Sequence, residues 1–186
     1  MNATVGRLKA MFAEEAARLE SVRREANFDA LTGLANRDHF LACLRQSLES
    51  ERAADGVLLL VRLADLAGIN RRLGREATDD LLKQAAEAAR LAAKLAPEGM
   101  AARLNGADFA VMLPGEVSGR AAAGSLLKQL SGIAAPFVAS APAAAIGFGR
   151  FGHHHVFFKL DFAGFGIVVR IFAYYLVKLS TFFENL

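Results

Sequence analysis

The chain has 186 residues, enough for one domain with appendages and for a real buried core. Its net charge of +3 is spread along the sequence without a lysine or arginine block, which argues against nucleic acid as a partner. The single cysteine, Cys43, excludes an intrachain disulfide and a cysteine-based zinc site, and reads as a small apolar filler. Residues 1–26 are charged throughout and carry no secretory signal, so a reducing, cytoplasmic setting is expected.

Residues 1–26 read as one helix. Val5, Leu8, Phe12, Leu19, Val22 and Ala26 recur every three or four residues, with Glu15 the one polar interruption and charges on the other faces. This is a coiled-coil-like seam of about three heptads. It suits either a surface helix docked on its own domain or a parallel dimerisation or signalling helix feeding the domain. The narrow seam, with no partner in the neighbouring sequence, favours the second.

Residues 28–40, FDALTGLANRDHF, follow. Asp29 and Thr32 are capping residues, Gly33 turns the chain, and Asn36 caps a helix carrying Phe40, Leu41, Leu44 and Leu48. In residues 56–66, GVLLLVRLADL, the uninterrupted apolar run Val57 to Val61 suits a buried central strand. A helix is predicted from Thr78 to Leu95, with Leu81, Leu82, Ala85, Ala89 and Ala92 inward and Pro97 and Gly99 ending it. Met100–Leu104 and Phe109–Leu113 form a predicted hairpin turning at Asn105-Gly106, since an Asn-Gly pair between apolar runs is a strong hairpin signal. A helix at Ser118–Leu130 and a strand at Ala143–Phe151 complete an α/β pattern with a mixed sheet.

After Gly152 the composition changes. The first 151 residues hold 35 alanines and the last 35 hold two, while those last 35 hold seven of the 14 phenylalanines and both tyrosines. Residues 152–186 are therefore set apart as an atypical, phenylalanine-rich segment. Ile167 to Phe183 is largely apolar but carries Arg170 and Lys178, too interrupted for a membrane span. A buried final helix and a non-native end both stay open. His153, His154 and His155 could bind a metal, but adjacent histidines without a carboxylate partner read rather as a solvated turn or a tag-like remnant.

Two motifs together carry a resemblance. FDALTGLANR is similar to the entry motif D-x-LTGL-x-NR of the GGDEF family, the diguanylate cyclases of bacterial signalling. Asn105, Gly106, Ala107, Asp108 and Phe109 stand where that family has its name-giving tetrad and phenylalanine, and Arg103 matches the arginine two residues before it. The resemblance covers residue 28 to about 151 and implies an α/β fold with a mixed central sheet flanked by helices, related to nucleotide cyclase and polymerase palm domains. In active members it implies two facing domains, each holding one GTP. Metal ions, usually magnesium, bridge carboxylates and phosphates while a ribose 3′ hydroxyl attacks an α-phosphate.

The departures fall on the chemistry. The family's first metal-binding aspartate lies eight residues before an asparagine matched by Asn70, and its place is taken by Arg62. Arginine cannot ligate a cation. The tetrad's third position, another metal carboxylate, is Ala107, its fourth is Asp108 in place of the usual glutamate, and its first glycine is Asn105. The resemblance therefore implies no catalytic residues, no metal site and no resident cofactor. Gly106 is expected to persist for the turn's backbone and Phe109 as core.

Asn70 and Asp79 match the pair that reads guanine, so GTP binding stays open, with Mg²⁺ if the site is partly retained. The competing reading has Asp79 capping a helix and Asn70 in a turn. Neighbouring family positions hold Arg71, Arg75 and Thr78 instead; Arg71, Arg72 and Arg75 either attract phosphate or form a solvated face. The family's R-x-x-D product-inhibition site has no counterpart in Ala96-Pro97-Glu98-Gly99, and its last helix none after residue 151.

The expected function is a catalytically degenerate GGDEF domain, a regulatory or relay module in cyclic-di-GMP signalling. It would form a homodimer through residues 1–26 and adjoin an EAL or sensory domain in a parent protein, itself cytoplasmic or membrane-anchored. R-L-N-G-A-D-F is similar to degenerate tetrads of tandem GGDEF–EAL proteins. The alternatives are a GTP-binding regulatory domain without turnover, an active cyclase making cyclic di-GMP from two GTP with Asp108 and a ligand such as Asp65, and a chimeric reading frame whose last 35 residues do not belong.

Overall fold

The computed structural model describes residues 2–49, 55–137, 144–152 and 155–157. They form α1 (Asn2–Asn27), α2 (Arg37–Glu49), β1 (Gly56–Leu63), α3 (Leu66–Ala93), β2 (Met100–Asn105), β3 (Asp108–Pro114), α4 (Gly119–Ala134), β4 (Ala144–Gly152) and β5 (His155–Phe157). The five strands make one sheet in the order β2-β3-β1-β4-β5.

The apolar run of β1 is explained by its place at the centre of this sheet. Side chains alternate across a strand, so a strand covered on both faces has no position left for polar residues. Val57, Leu59, Val61 and Leu63 join the larger core with α3 and α4, whereas Leu58 and Leu60 pack with Phe40, Leu44 and Leu48 of α2. On the α3 side lie Leu81, Leu82, Ala85, Ala89 and Ala92, all buried as their spacing predicts.

The α/β architecture is as expected, with one refinement. Every pair of named strands is antiparallel. The parallel component is an isolated bridge, Ala35 to Ala102, where the entry segment lies along edge strand β2. Ala35 N–H donates to Ala101 O at 3.3 Å and Arg103 N–H to Ala35 O at 2.9 Å, which covers part of an otherwise open edge.

Helix α3 begins at Leu66, capped by Asp65, and is kinked into two helical segments at Gly74, whose φ of 83° and ψ of 176° are not helical. The helix predicted from Thr78 is the second of these segments; the first, residues 66–73, is an addition to the predicted pattern. In α2 the expected cap is present, with His39 N–H donating to Asn36 Oδ1 at 2.9 Å. Asp29 caps a tight turn rather than a helix, accepting from Thr32 N–H at 2.9 Å. In α4, the predicted helix starts where expected, with Ser118 as its N-cap, and runs to Ala134 rather than Leu130. His153, His154 and the apolar stretch 167–183 lie outside the described residues; His155 opens the short strand β5.

Candidate functional site

The β1–β3 register sets Arg62 directly opposite Asp108. Their neighbours Val61 and Phe109 belong to the α3/α4 core, so both side chains leave the sheet on the α2 face. The Arg62 Nε–H donates to Asp108 Oδ1, and Nη2 donates to Oδ2 at 2.6 Å. This bidentate pair is the strong, charge-assisted geometry of arginine with carboxylate. The Asp108 side chain is only 3% exposed and that of Arg62 35%, so the acid is sealed in and the base reaches water. Ala107, next to Asp108 in sequence, packs against the larger core, and its carbonyl accepts from Leu63 N–H at 3.0 Å.

The hairpin itself is shifted by one residue from its predicted turn. β2 runs to Asn105, which pairs with Asp108, leaving Gly106-Ala107 as the two-residue connection, and a register irregularity falls between Arg103 and Asn105. The expectation that the turn needs glycine at 106 is not met. Gly106 is absent from the positive-φ residues, and a Cβ there would meet nothing within 4 Å. Phe109 is buried core, as expected.

Arg103 binds this turn to the entry motif. Its Nε and Nη2 donate to Gly106 O at 3.3 and 2.9 Å, and its Nη1 lies 3.2 Å from Asp29 Oδ1. The same Asp29 oxygen accepts from the Thr32 hydroxyl at 2.7 Å. Burial pushes the Asp29 carboxyl up, but the Thr32 hydroxyl and N–H together with Arg103 outweigh it and hold the group below the usual carboxylate range. Asn36 closes the junction, its Nδ2 donating to Ala26 O at 2.7 Å at the end of α1.

The β1–α3 connection is occupied by a second carboxylate. Asp65, at φ 46°, turns its side chain onto the start of α3, where Oδ1 accepts from Gly68 N–H at 3.1 Å and Oδ2 from Arg72 Nη1 at 3.0 Å. Gly68 permits this: a Cβ there would lie 2.1 Å from Asp65 Oδ2. The Arg72 hydrogen bond holds the Asp65 carboxyl below its ordinary range despite some opposing desolvation. Arg72 Nη2 also donates to Phe137 O at 3.2 Å.

Asn70 and Asp79 lie in α3 on either side of Gly74. Asn70 is exposed in the helical turn before the break, not in a loop. Asp79 is within the helix and does not cap it; its Oδ2 lies 3.7 Å from Arg75 Nε, and the neighbouring Thr78 hydroxyl donates to Gly74 O, four residues back, at 2.9 Å. The segment Ala96–Gly99 is a tight turn closed by Gly99 N–H to Ala96 O at 3.1 Å, with Glu98 at φ 59°.

Sequence reading flagged Arg62 and Asp108 separately and missed that they pair. The signal was present: two substituted positions of opposite charge, at the ends of two strands. The Arg103–Asp29 contact was likewise missed, because residues 74 positions apart give no local pattern. Among the described residues, no group of three or more His, Cys, Asp or Glu side chains is arranged to hold a metal ion, and no helix is long and apolar enough to cross a membrane.

Known proteins share this fold. The coiled coil and GGDEF domain of DgcB from Caulobacter crescentus, in complex with c-di-GMP, superposes with a TM-score of 0.63 at 26% identity, covering 80% of each chain. The S helix-GGDEF-EAL part of Vibrio cholerae LapD gives a TM-score of 0.60 at 19% identity, over 74% of this chain and 32% of that one, a likeness of fold. In sequence, an uncharacterized protein in the hutH 5′ region of Streptomyces griseus is 38% identical over 101 residues, and the signaling protein YkoW of Bacillus subtilis 31% over 113. Those matches take in 53% and 60% of this chain but only 42% and 14% of the two relatives. The family model described as diguanylate cyclase, GGDEF domain, matches residues 26–154, which include the entry motif, the whole of β1 to β4 and the hairpin; the chain belongs to the GGDEF family.

Proposed function

We propose that the chain is a catalytically degenerate GGDEF domain, a regulatory relay in cyclic-di-GMP signalling. The observation that carries this reading is the Arg62–Asp108 pair. Magnesium wants hard oxygen ligands in octahedral geometry, usually one or two carboxylates. At the two positions where the family supplies them stand a guanidinium and a methyl group, Arg62 and Ala107. The remaining acid, Asp108, has both oxygens engaged by that guanidinium. Asp65, the other carboxylate near the end of β1, is engaged by Gly68 and Arg72. These residues do not fit a divalent cation, and no step is assigned through one.

The relay half of the reading rests on α1. Leu8, Met11, Phe12, Leu19 and Val22 are 52–68% exposed along it, an apolar seam left uncovered among the described residues. A second copy of the chain would cover this seam in a parallel pair. Asn36 and the Asp29–Arg103–Gly106 contacts then connect the end of that helix to the hairpin. The division is a helix at 1–26, the domain at 27–151 and the phenylalanine-rich segment at 152–186. An EAL or sensory domain in a cytoplasmic or membrane-anchored parent protein fits the modest share of the curated relatives that is matched, and LapD itself combines an S helix, GGDEF and EAL.

The test is incubation of the purified chain with GTP and Mg²⁺. No cyclic di-GMP is expected, and turnover would overturn the degenerate reading. A second reading, GTP binding without turnover, is favoured by the outward-facing Asn70 and half-buried Asp79. Calorimetry separates the two: binding indifferent to Mg²⁺ supports the second, no binding the first, and Mg²⁺-dependent binding defeats the argument from Arg62 and Ala107.

A further inference from the structure

The seam of α1 contains a flaw in a telling place. Counting Val5 as position a of a heptad, Phe12, Leu19 and Ala26 fall at a, and Leu8, Glu15 and Val22 at d. In a parallel pair each d residue meets its own copy, so Glu15 faces Glu15 at the middle of the seam. The flanking contact of that region runs from position g of one helix to e of the next heptad in the other. It sets Arg18 against Arg23 of the second copy, a second like-charge contact. The layers on both sides, Phe12 and Leu19, are apolar and 68% and 62% exposed in the single chain, so they gain most from pairing.

We propose that Glu15 makes the parallel self-association of α1 deliberately weak, so that the helix pair is an adjustable contact and not a permanent zipper. The partner is a second copy of this chain, because apolar residues recur at a and d on both sides of Glu15, the pattern that two parallel copies bury against each other in register. This inference rests on the relay reading given above. A buried polar residue in a coiled-coil core lowers stability while fixing register, and a charged one facing its like does so more strongly. A relay needs two states of similar free energy that a modest input can exchange. A seam of leucines throughout would lock one of them.

Sedimentation equilibrium of the full chain tests it with four proteins: the unaltered chain, Glu15→Leu, Glu15→Gln and Leu19→Asp. All three changes fall on the exposed face of α1 and leave the domain core untouched. Glu15→Leu is expected to tighten the dimer at least about tenfold, Glu15→Gln less, and Leu19→Asp to abolish it. If Leu19→Asp weakens association while Glu15→Leu leaves it unchanged, the seam stands and the role of Glu15 is overturned. If neither change moves the equilibrium, dimerisation through α1 is itself overturned. Orientation is read separately from Val22→Cys in a Cys43→Ala background. A parallel pair puts both copies of residue 22 in one layer and cross-links on oxidation, and a dimer that fails to cross-link overturns the inference.

Discussion

Two ion pairs hold the signature hairpin, and they differ in origin. Arg103–Asp29 is built from residues that match the family's motifs, and it ties the turn to the end of α1. Arg62–Asp108 is built from residues that depart from them, and it ties the hairpin to the central strand. The first serves the backbone, since every bond it makes fixes a turn or a carbonyl. The second lies where the resemblance places the family's charge chemistry, and it sets opposite charges against each other within the chain. The comparison teaches that scaffold and chemistry in this domain are separable. Each can be disturbed alone.

Disturbing the second pair has the larger expected effect. Arg62→Ala takes the bidentate guanidinium away from the Asp108 carboxylate, whose side chain is 3% exposed. Removing one partner of a buried ion pair costs about 3–5 kcal/mol, and water reaching the arginine side favours the lower end. Urea unfolding should show the loss as a lower midpoint. Replacing both residues together, Arg62→Met with Asp108→Leu, should recover most of it, because an apolar pair of similar volume has no desolvation to repay. If the double variant is as unstable as the single one, the interaction is not the reason for the loss.

Breaking the first pair should matter less. Asp29→Asn removes a partly exposed carboxylate that accepts from Thr32 and Arg103, for a loss of about 1 kcal/mol at neutral pH after allowing for water access. The sign of its pH dependence follows from the depressed folded-state value. The stabilisation is complete above the ordinary aspartate range near 3.8 and fades as pH falls through the lower folded value. The stability gap between the natural chain and the asparagine variant should therefore close in acid. A gap independent of pH would show that shape, not charge, is what Asp29 supplies.

Glu98 sharpens the contrast from a third place, where neither pair reaches. It is a non-glycine residue held at φ 59° in the turn that precedes β2. Left-handed backbone strains a residue with a Cβ, so Glu98→Gly should raise stability by roughly 0.5–1 kcal/mol, measured by the unfolding midpoint. This turn lies where the family's product-inhibition motif would end, and its strain is a property of the backbone with no ion pair attached.

Much of this architecture was legible in the residues. The central strand followed from its unbroken apolar run, and the helix faces followed from their spacing, because burial on both sides or on one stripe leaves a local pattern. Gly74 is a true break between the two segments of α3, and the short segment before it, residues 66–73, was not legible because so few turns give little periodicity. The ion pairs were not legible for a different reason. Arg62 and Asp108 are 46 positions apart, and only the strand register places them opposite each other. The resemblance implied that Arg62 and Ala107 stand at the family's metal-carboxylate positions, but the engagement of Asp108 by Arg62 follows from pairing across the sheet.

Gly106 is where the resemblance and the geometry give opposite expectations, and so the smallest predicted effect is also informative. The family's motif keeps glycine in the tetrad, which suggests a backbone that only glycine can adopt. Here its φ lies outside the left-handed region and the space around a Cβ is open. Gly106→Ala should shift stability by less than about 0.5 kcal/mol, the usual range for an exposed site without a special role. A loss above 1 kcal/mol, roughly the scale of a strained backbone, would mean the turn does depend on glycine. A neutral result would indicate that glycine at this position answers to what approaches the turn from outside, such as a ligand or a second domain, and not to the fold of this one. The turn carbonyl held by Arg103 would then be the fixed point, and position 106 a surface left open beside it.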